Sequence, residues 1–538
     1  MLGVREVVAN AVAASTTRTV FALMGAANQE LMCDLSERCA VQLVHCRHEA
    51  GAVGMADGYA RFSGRIGIAT VTSGPGVTNT ATSLAVARKH RSPVLLLAGD
   101  TPDDNPSNPQ YVEQEALTRL CAGASGRIES PERTGTVLRA AARALSTQHP
   151  FVVNMPLDAQ EMPVASAEPA SLTPEHPPAA SLGQADLAKA VRLLAESQRP
   201  VILVGRGGME AGAVLGKLAH ALGAPLVTTL RAAGLFAGHR SNAGVAGPMG
   251  DGRACRLLAD ADLILAIGTS LDPLTITALR QPVLVRIDIA APTRGAFAAD
   301  LRIDASTGAQ AVLQRLGPVI APHGPVISEA GERWPCPDRV TDSGVHVLDA
   351  LDTLSELLPP SRLMVVGGGH AALSACQTLP ATGPREFTCV STDFGAIGQA
   401  LPVAIGACFA RPGQRVFHVT ADGELMMSLA ELHTAIRYRL PITIVVLNDN
   451  GFGQERHNLA RAGHLVDHAA HPSPDLAALA QTLGASGYSI THPGELTVLK
   501  RALDHNERDG VVLVDVHIDP TYLNPASAHV AAAMKSRG

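Results

Sequence analysis

Short apolar runs alternate with longer stretches of helical periodicity along the whole chain. The first third reads "RIGIATVTS", "TNTATSLAVARKH" and "SPVLLLAGD", and the middle reads "RPVILVG", "GAVLGKLAHAL" and "APLVTT". The last third has "QRVFHVT", a helix predicted over Leu425–Tyr438, and "LPITIVVLN". Fully apolar strands that are separated by helices indicate parallel sheets covered on both faces. The pattern therefore predicts an α/β protein.

Two proline-rich stretches divide this pattern into three blocks. The first stretch carries prolines 156, 163, 169, 174, 177 and 178, and the second carries prolines 318, 322, 325, 335 and 337. Stretches of this composition are typical of extended linkers. The expected domains are 1–160, 184–320 and 341–538.

Composition narrows the class of protein. The chain has 538 residues, of which 46% are hydrophobic and 17% charged, and its net charge is −6. It has no basic run interleaved with aromatic residues, so a nucleic-acid partner is not expected. Nine cysteines without a CxxC motif indicate neither a disulfide framework nor a zinc site. No stretch approaches a membrane span or a signal core, and we expect a cytoplasmic enzyme.

Two acidic residues follow neighbouring strands of the third block. Asp422 comes directly after "VFHVTA", and Asp449 comes directly after the apolar run that ends "VVLN". Gly423 is expected to bend the chain into a helix that starts near Leu425. Because ligands bind at the carboxyl ends of parallel strands, beside helix N-termini, this arrangement suits Mg²⁺ carrying a diphosphate.

Other interpretations of these two motifs must be weighed. An EF-hand around "NDNG" fails, because with Gly451 as its glycine the first ligand position would be Val446. Either motif alone could be an ordinary turn, since turns favour Asp, Asn and Gly. The two together, at consecutive strand ends, favour a ligand site over two turns.

The acidic motifs also resemble the signature of a known enzyme family. "ADG" followed by "NDNGFG" is similar to the thiamin-diphosphate motif. The stretches "RHEAGAVGMADGYAR", "TSGPGVTNTATSLAVA", "LGAPLVTTLRAAGLF" and "DFGAIGQALPVAIGA" resemble the acetolactate synthase and 2-oxoacid decarboxylase family in that family's order. The resemblance implies three doubly wound parallel-sheet domains, which are pyrimidine-binding, central and diphosphate-binding in chain order. It also implies thiamin diphosphate and Mg²⁺ as cofactors.

By this resemblance, the metal ligands are Asp422, Asp449 and the main-chain oxygen of Gly451. The neighbouring residues of both motifs are expected to contact the cofactor: Ala421, Gly423, Glu424 and Phe452. Ala421 stands where the family usually has Gly, and Asp449 stands where Asn is commoner. A second carboxylate beside a diphosphate implies a sharper dependence on a divalent cation.

The resemblance also assigns residues around the cofactor's aminopyrimidine ring. Glu49 matches the glutamate that drives this ring into its imino tautomer, which can then deprotonate the thiazolium. Ile397 matches the bulky residue that bends the cofactor, and the main-chain oxygen of Gly395 would accept from the 4′-amino group. Glu49 could instead be a surface glutamate at a helix start, and Ile397 a plain core residue.

The family decarboxylates a 2-oxo acid and can transfer the resulting acyl-anion equivalent to an acceptor carbonyl. Gln114 resembles the glutamine near the reacting centre of acetolactate synthases, which favours carboligation. Glu455 lies where decarboxylases of this family carry a catalytic glutamate, although it could be a solvated helix-end charge. These two residues therefore point to different outcomes, ligation or release of an aldehyde.

Several residues that are typical of the family's decarboxylases or acetolactate synthases do not occur in this sequence, and this affects the choice between ligation and aldehyde release. No histidine occurs between His90 and His149, where decarboxylases carry a histidine pair. Ala232-Ala233-Gly234 and "GTSLDPL" stand where acetolactate synthases have "GKG" and "GARFDDR". We therefore expect a carboligase whose acceptor is an aldehyde, a ketone or another carbonyl compound. A non-ligating decarboxylase is the alternative, and a non-catalytic homologue is a further one.

A dinucleotide-binding oxidoreductase is the rival class. In "VILVGRGGMEAG" the glycines do not form GxGxxG, because position 210 is Glu, so NAD binding is not expected. FAD in the central domain stays open, by analogy with some relatives.

The predicted site residues come from two domains. Glu49 belongs to the first domain and the metal ligands to the third, and in this family the cofactor lies between those domains of two different chains. The resemblance therefore implies a homodimer or homotetramer with sites at the subunit interface.

Overall fold

A computed structural model describes residues 1–102, 105–165, 172, 182–276, 279–290, 296–317, 334, 339, 341, 343–504 and 510–535. Most of the two predicted proline-rich linkers lies outside these residues. The described residues form three six-stranded parallel sheets with helices between the strands. This confirms the predicted fold class, three doubly wound α/β domains.

The first sheet has the strand order β2-β1-β3-β4-β6-β5. Its strands are β1 Thr19–Ala22, β2 Gln42–His45, β3 Gly67–Val71, β4 Val94–Asp100, β5 Ser125–Arg127 and β6 Phe151–Pro156. The helices of this part are α1 Val4–Ala14, α2 Gln29–Cys33, α3 Glu49–Ser63, α4 Pro75–Thr78, α5 Ala81–His90, α6 Gln114–Ala122 and α7 Arg133–Ser146.

The second sheet has the order β12-β11-β10-β7-β8-β9. Its strands are β7 Pro200–Val204, β8 Leu226–Thr228, β9 Asn242–Val245, β10 Leu263–Ile267, β11 Val283–Ile287 and β12 Ala299–Leu301. The accompanying helices are α8 Gln184–Glu196, α9 Gly212–Leu222, α10 Gly252–Asp260 and α11 Ala305–Leu316.

The third sheet has the order β14-β13-β15-β16-β18-β17. Its strands are β13 Leu363–Val366, β14 Phe387–Cys389, β15 Val416–Ala421, β16 Ile442–Asn448, β17 Ser486–Ile490 and β18 Val511–His517. The helices are α12 Val347–Leu357, α13 Ala371–Thr378, α14 Ser391–Phe394, α15 Ala400–Ala410, α16 Asp422–Met427, α17 Ala430–Arg437, α18 Gly453–Ala462, α19 Leu476–Leu483, α20 Thr497–Asp504 and α21 Ser527–Lys535.

The helix predicted over Leu425–Tyr438 is instead two helices. Helix α16 begins at Asp422, so the expected start near Leu425 and the bend at Gly423 are wrong. Acidic side chains in a first turn interact favourably with the positive end of a helix, which suits a start at Asp422. Ser428, at φ −126° and ψ 20°, leaves the helical conformation before α17 begins. The chain therefore forms two separate helices, α16 and α17, on either side of Ser428.

The first and third parts of the chain share one apolar core. It contains side chains of α3, such as Met55 and Phe62, and side chains of α15, such as Leu401 and Ile405. The two helices approach so closely that a Cβ at Gly406 would overlap the main chain of α3. Helix α3 begins at Glu49, so this core sets the position of that residue relative to the third sheet.

A buried ion-pair network joins all three parts of the chain. Asp393, just before the predicted cofactor residue Gly395, lies 2.8 Å from Arg61 and 3.0 Å from His90 of the first part, and 2.9 Å from Arg231 of the second. Burial opposes ionisation of Asp393, but His90 and the arginines outweigh it and hold the pKa of this carboxyl well below its usual range. Burial, assisted by Arg61, lowers the pKa of His90 to about 4.

No helix in the described ranges has the length and apolar character needed to cross a membrane.

Candidate active site

Asp422 and Asp449 lie at the carboxyl ends of two adjacent strands. Strand β15 pairs in parallel with β16, with Ala421 opposite Leu447. Asp422 follows the last residue of β15 and begins α16, and Asp449 follows the last residue of β16. Both are almost completely buried, with exposures of 0% and 5%. The strand pairing thus brings together two carboxylates that are separated along the chain by two helices.

The two carboxylates have the character of a cation site. Asp422 Oδ1 and Asp449 Oδ2 are buried and have no hydrogen-bond partner. Burial raises the pKa of both groups, and for Asp449 the nearby Asp422 carboxylate adds to the effect. A divalent cation between them would supply the missing partner and offset the repulsion, so the residues present fit Mg²⁺.

A cation here would rely on few side chains. The described residues contain no group of three or more His, Cys, Asp or Glu side chains placed to hold a metal. The third predicted ligand is the main-chain oxygen of Gly451, which lies near α16: it is 3.6 Å from where a Cβ on Gly423 would be. Mg²⁺ commonly keeps positions for water and phosphate oxygens, so two carboxylates and a carbonyl are sufficient protein ligands.

A later segment of the chain closes over these motifs. Phe452 N–H donates to Ala469 at 2.9 Å, and its ring lies 4.6 Å from that of His471. Ser473 Oγ donates to Asp422 Oδ2 at 2.7 Å. Sequence reasoning missed Ser473, because no local pattern relates it to a residue 51 positions away.

One histidine, His370, lies beside the carboxylates and contacts a second, His457; sequence reasoning missed both. His370 Nδ1 lies 3.2 Å from Asp449 Oδ2 without forming a hydrogen bond with it, and its ring is 5.3 Å from that of His457. Burial lowers the pKa of His370 to about 4, with His457 and Arg456 contributing. His370 follows β13, the other neighbour of β15, so the rule that ligands meet at strand ends could have identified it.

Glu424 connects the loops around the site. Its buried carboxylate accepts from Gly368 N–H, from Gly398 N–H at 3.2 Å and from Thr420 Oγ1 at 2.9 Å. Burial raises the pKa of this carboxyl. Both carboxylate oxygens are therefore bonded within the protein, and Glu424 fixes the loops that carry the other predicted cofactor residues.

The segment that carries Gly395 and Ile397 is open on one side. Gly395 has a φ of +78°, which favours glycine, and nothing lies within 4 Å of where its Cβ would be. Ile397 packs against the main chain of Gly368, yet it is 36% exposed. It is therefore not a core residue of this chain, and its side chain is available to a ligand or a partner subunit.

Glu49 is the first residue of α3 and lies in the first domain. Its Oε2 accepts from Asn79 Nδ2 at 3.0 Å, and 14% of its side chain is exposed. Among the described residues, no hydrogen bond or ion pair joins Glu49 to Asp422 or Asp449 of the same chain. Within one chain, Glu49 is therefore not bonded directly to the two aspartates predicted to bind the metal.

The side chain of Gln114 is occupied within the first domain. Its Oε1 accepts from Gly74 N–H at 3.1 Å, and its Nε2 donates to Gly99 O at 2.8 Å and to Asn154 Oδ1 at 3.0 Å. The residue is only 2% exposed. Glu455, by contrast, is exposed in the first turn of α18.

The glycine loop of the central domain has few free amides. Gly205 N–H donates to Ile267 O, Gly207 N–H to Gly268 O and Gly208 N–H to Gly205 O, each at 2.9 Å. Amides paired in this way are not offered to a phosphate. The binding of FAD by this domain stays a prediction.

Three family models cover most of the chain. Residues 3–120 match "Thiamine pyrophosphate enzyme, N-terminal TPP binding domain", residues 187–316 match the central domain, and residues 367–516 match the C-terminal TPP binding domain. The three α/β domains and the paired carboxylates are consistent with these matches. The chain belongs to the thiamin-diphosphate-dependent enzyme family.

Similar proteins within the family carry different activities in their names. An "Acetolactate synthase isozyme 3 large subunit" of Escherichia coli (strain K12) is 28% identical over 96% of this chain and 95% of its own length. A "Sulfoacetaldehyde acetyltransferase" of Alcaligenes xylosoxydans xylosoxydans is 28% identical over 92% of this chain and 89% of its own. A "Probable 2-ketoarginine decarboxylase AruI" of Pseudomonas aeruginosa is 28% identical over 93% and 91%. The chain is thus a thiamin-diphosphate enzyme with similarity to both carboligases and decarboxylases.

Proposed function

We propose that this protein is a Mg²⁺-dependent carboligase, which decarboxylates a 2-oxo acid and transfers the acyl unit to an acceptor carbonyl compound. The observation that carries the proposal is the pair of buried carboxylates with unpartnered oxygens, Asp422 and Asp449, in a chain with both cofactor-binding domains. Similarity to acetolactate synthase and to an acetyltransferase over nearly the full length supports ligation.

Each predicted residue then has a defined task. Asp422, Asp449 and the Gly451 carbonyl would hold Mg²⁺ and, through it, the diphosphate. Thiamin diphosphate, when bound, supplies the carbon nucleophile and the electron sink for decarboxylation. Glu49 would place its carboxyl against N1′ of the aminopyrimidine and hold a proton there.

Gln114 would act indirectly in this scheme. Its amide holds the Gly74 N–H and the end of strand β4 at Gly99, so it shapes the wall of the first domain. For the Gln114 side chain to contact the reacting centre, as predicted, its amide would first have to break these hydrogen bonds within the first domain. Glu455 is exposed and would be free to face a substrate.

Simple decarboxylation is the second candidate. The similarity to a protein named as a 2-ketoarginine decarboxylase supports it, and so does the exposed carboxyl of Glu455, which could protonate the product carbon. In that case an aldehyde would leave without ligation.

We also propose that the working unit is a homodimer or a homotetramer. The family resemblance supports a cofactor shared by two chains, because Glu49 lies in the first domain and the metal ligands lie in the third, and the family places the cofactor between these domains of two different chains. Exposed apolar side chains near the site, namely Phe394, Ile397, Met426 and Met427, support a covering partner.

The test is incubation with a panel of 2-oxo acids and carbonyl acceptors, in the presence of thiamin diphosphate and Mg²⁺, followed by mass spectrometry. Ligated products that are absent with Glu49→Gln would support the proposal. Aldehydes alone would favour the second candidate. Cofactor binding without CO₂ release from any donor would indicate a non-catalytic homologue.

A further inference from the structure

The connection that leads to Glu49 is held by the third domain. Strand β2 ends at His45 and helix α3 begins at Glu49. His45 N–H donates to Tyr438 Oη at 2.8 Å. Arg47 N–H and His48 N–H donate to the carboxylate of Glu431, at 3.2 and 2.9 Å. Three of the four main-chain N–H groups from residue 45 to 48 are therefore bonded to α17 or to Tyr438, the residue directly after it.

Glu431 is built into this contact. The residue is 2% exposed, and Thr434 Oγ1 donates to its Oε2 at 2.6 Å. Residues 431, 434 and 438 are three and seven positions apart, so they share one face of α17 and its end. At Gly51, in the first turn of α3, a Cβ would overlap Glu431 Oε1. The glycine thus leaves room for the carboxylate.

These bonds act on the main chain directly before Glu49. The apolar core between α3 and α15 already holds the two domains together, so the bonds to Glu431 are not needed for that alone. What they add is a fixed orientation of the peptide units of Arg47 and His48. A general acid or base depends strongly on such placement, because a shift of about 1 Å can cost about 100-fold in rate.

We propose that Glu431 is a positioning residue for Glu49. Its carboxylate accepts from the two N–H groups before Glu49 and so fixes the point from which the Glu49 side chain reaches the cofactor. This inference rests on the proposed function, specifically on the role given to Glu49. It does not make Glu431 a group that touches substrate or cofactor.

Two variants disturb the contact from opposite sides. Glu431→Ala removes the acceptor, and Gly51→Ala displaces it while leaving the carboxylate present. Glu431→Gln keeps a side-chain oxygen that can accept from the same amides, and it is the conservative variant. Asp262→Ala is the matched control, because Asp262 also accepts from one hydroxyl and two consecutive amides, those of Ser197, Gln198 and Arg199, but within the central domain.

The measurements are made on the full chain with thiamin diphosphate and Mg²⁺. They are kcat, the cofactor Kd and the near-ultraviolet circular-dichroism signal of the imino tautomer as a function of pH. We expect Glu431→Ala and Gly51→Ala to lower kcat by about tenfold or more and to shift the pH midpoint of the tautomer signal, with cofactor Kd within about threefold of wild type. Glu431→Gln should recover most of kcat, and Asp262→Ala should leave the midpoint unchanged.

Two results would overturn the inference. One is a fall in kcat that matches only the lost fraction of folded enzyme, with an unchanged midpoint. The other is that Glu431→Ala and Asp262→Ala change kcat and the tautomer midpoint by the same amount. The Glu49→Gln variant distinguishes failure of the positioning role from failure of the proposed function. If Glu49→Gln itself keeps near-native turnover, the role given to Glu49 is wrong. If Glu49→Gln is inactive while Glu431→Ala keeps the wild-type kcat and tautomer midpoint, only the positioning role is wrong.

Discussion

Asp422 and Asp449 each keep one buried carboxylate oxygen without a hydrogen-bond partner, and the two groups repel each other. We predict that Asp422→Ala weakens Mg²⁺-dependent binding of thiamin diphosphate by at least about tenfold, roughly 1.4 kcal/mol. Asp449→Asn should keep binding, because an amide oxygen can still act as a ligand, and it is the commoner residue in the family. Titration calorimetry with and without Mg²⁺ measures both effects.

Ser473→Ala is the control for this experiment. It removes only the hydroxyl that donates to Asp422 Oδ2, so the carboxylates stay in place. If Asp422→Ala binds the cofactor as tightly as Ser473→Ala does, the metal site lies elsewhere.

At the scale of elements, Glu424 joins three segments: helix α16, the loop after β13 through Gly368, and the loop before α15 through Gly398. We predict that Glu424→Ala destabilises the third domain by about 1–3 kcal/mol, because two buried N–H groups lose their acceptor. Thermal unfolding measures this loss. Cofactor affinity should fall as well, since the same loops carry Ile397 and His370.

Thr420→Val is the matched control for Glu424→Ala. It removes a single hydroxyl bonded to Glu424 and leaves both loop amides satisfied. A melting temperature and cofactor affinity of Glu424→Ala equal to those of Thr420→Val would contradict the role given to Glu424.

At the scale of the molecule, the network around Asp393 makes stability depend on pH. The pKa of His90 is lowered to about 4 in the folded chain, so the unfolded chain binds the extra proton first as the pH falls below about 6.5. The free energy of unfolding therefore falls as the pH is lowered from about 6.5 to 4, and at pH 5 the loss is on the order of 2 kcal/mol. Asp393 adds to the loss below its ordinary pKa, because its folded pKa is lowered.

We therefore predict that His90→Gln reduces the difference in unfolding midpoint between pH 7 and pH 5. Other buried histidines are common to both proteins, so the comparison isolates His90. His90 faces Asp393, Arg61 and Arg206, and none of these is changed by the substitution. An equal pH dependence in wild type and variant would contradict this prediction, because it would mean that the pKa of His90 is the same in the folded and unfolded chains.

The proposed sharing of sites between chains gives a second prediction at this scale. Glu49→Gln and Asp422→Ala should each be inactive as homo-oligomers, because each lacks one half of every site. After mixing with subunit exchange, each heterodimer would contain one intact site, and activity should approach about a quarter of wild type under random pairing. No recovery despite verified exchange would mean that each chain builds its site alone.

The sequence by itself determined the fold class and the two strand-end carboxylates. Apolar runs of strand length between helical segments lead to parallel sheets, and parallel strands place their carboxyl ends at one edge. Asp422 and Asp449 could therefore be predicted as neighbours, and β15 pairs with β16 as that required. The break between α16 and α17 was not predictable, because the apolar periodicity runs through Ser428 without interruption.

Only the tertiary structure decided which residues surround the predicted ones. Glu431 contacts the amide of His48 across 383 residues, and Asp393 gathers His90 and two arginines from two other domains. Such contacts leave no local pattern, because a carboxylate that accepts from a distant main-chain amide looks in sequence like any helical glutamate. Whether an acid is solvated or buried depends on the packing of separate domains, and that packing exists only once the chain has folded.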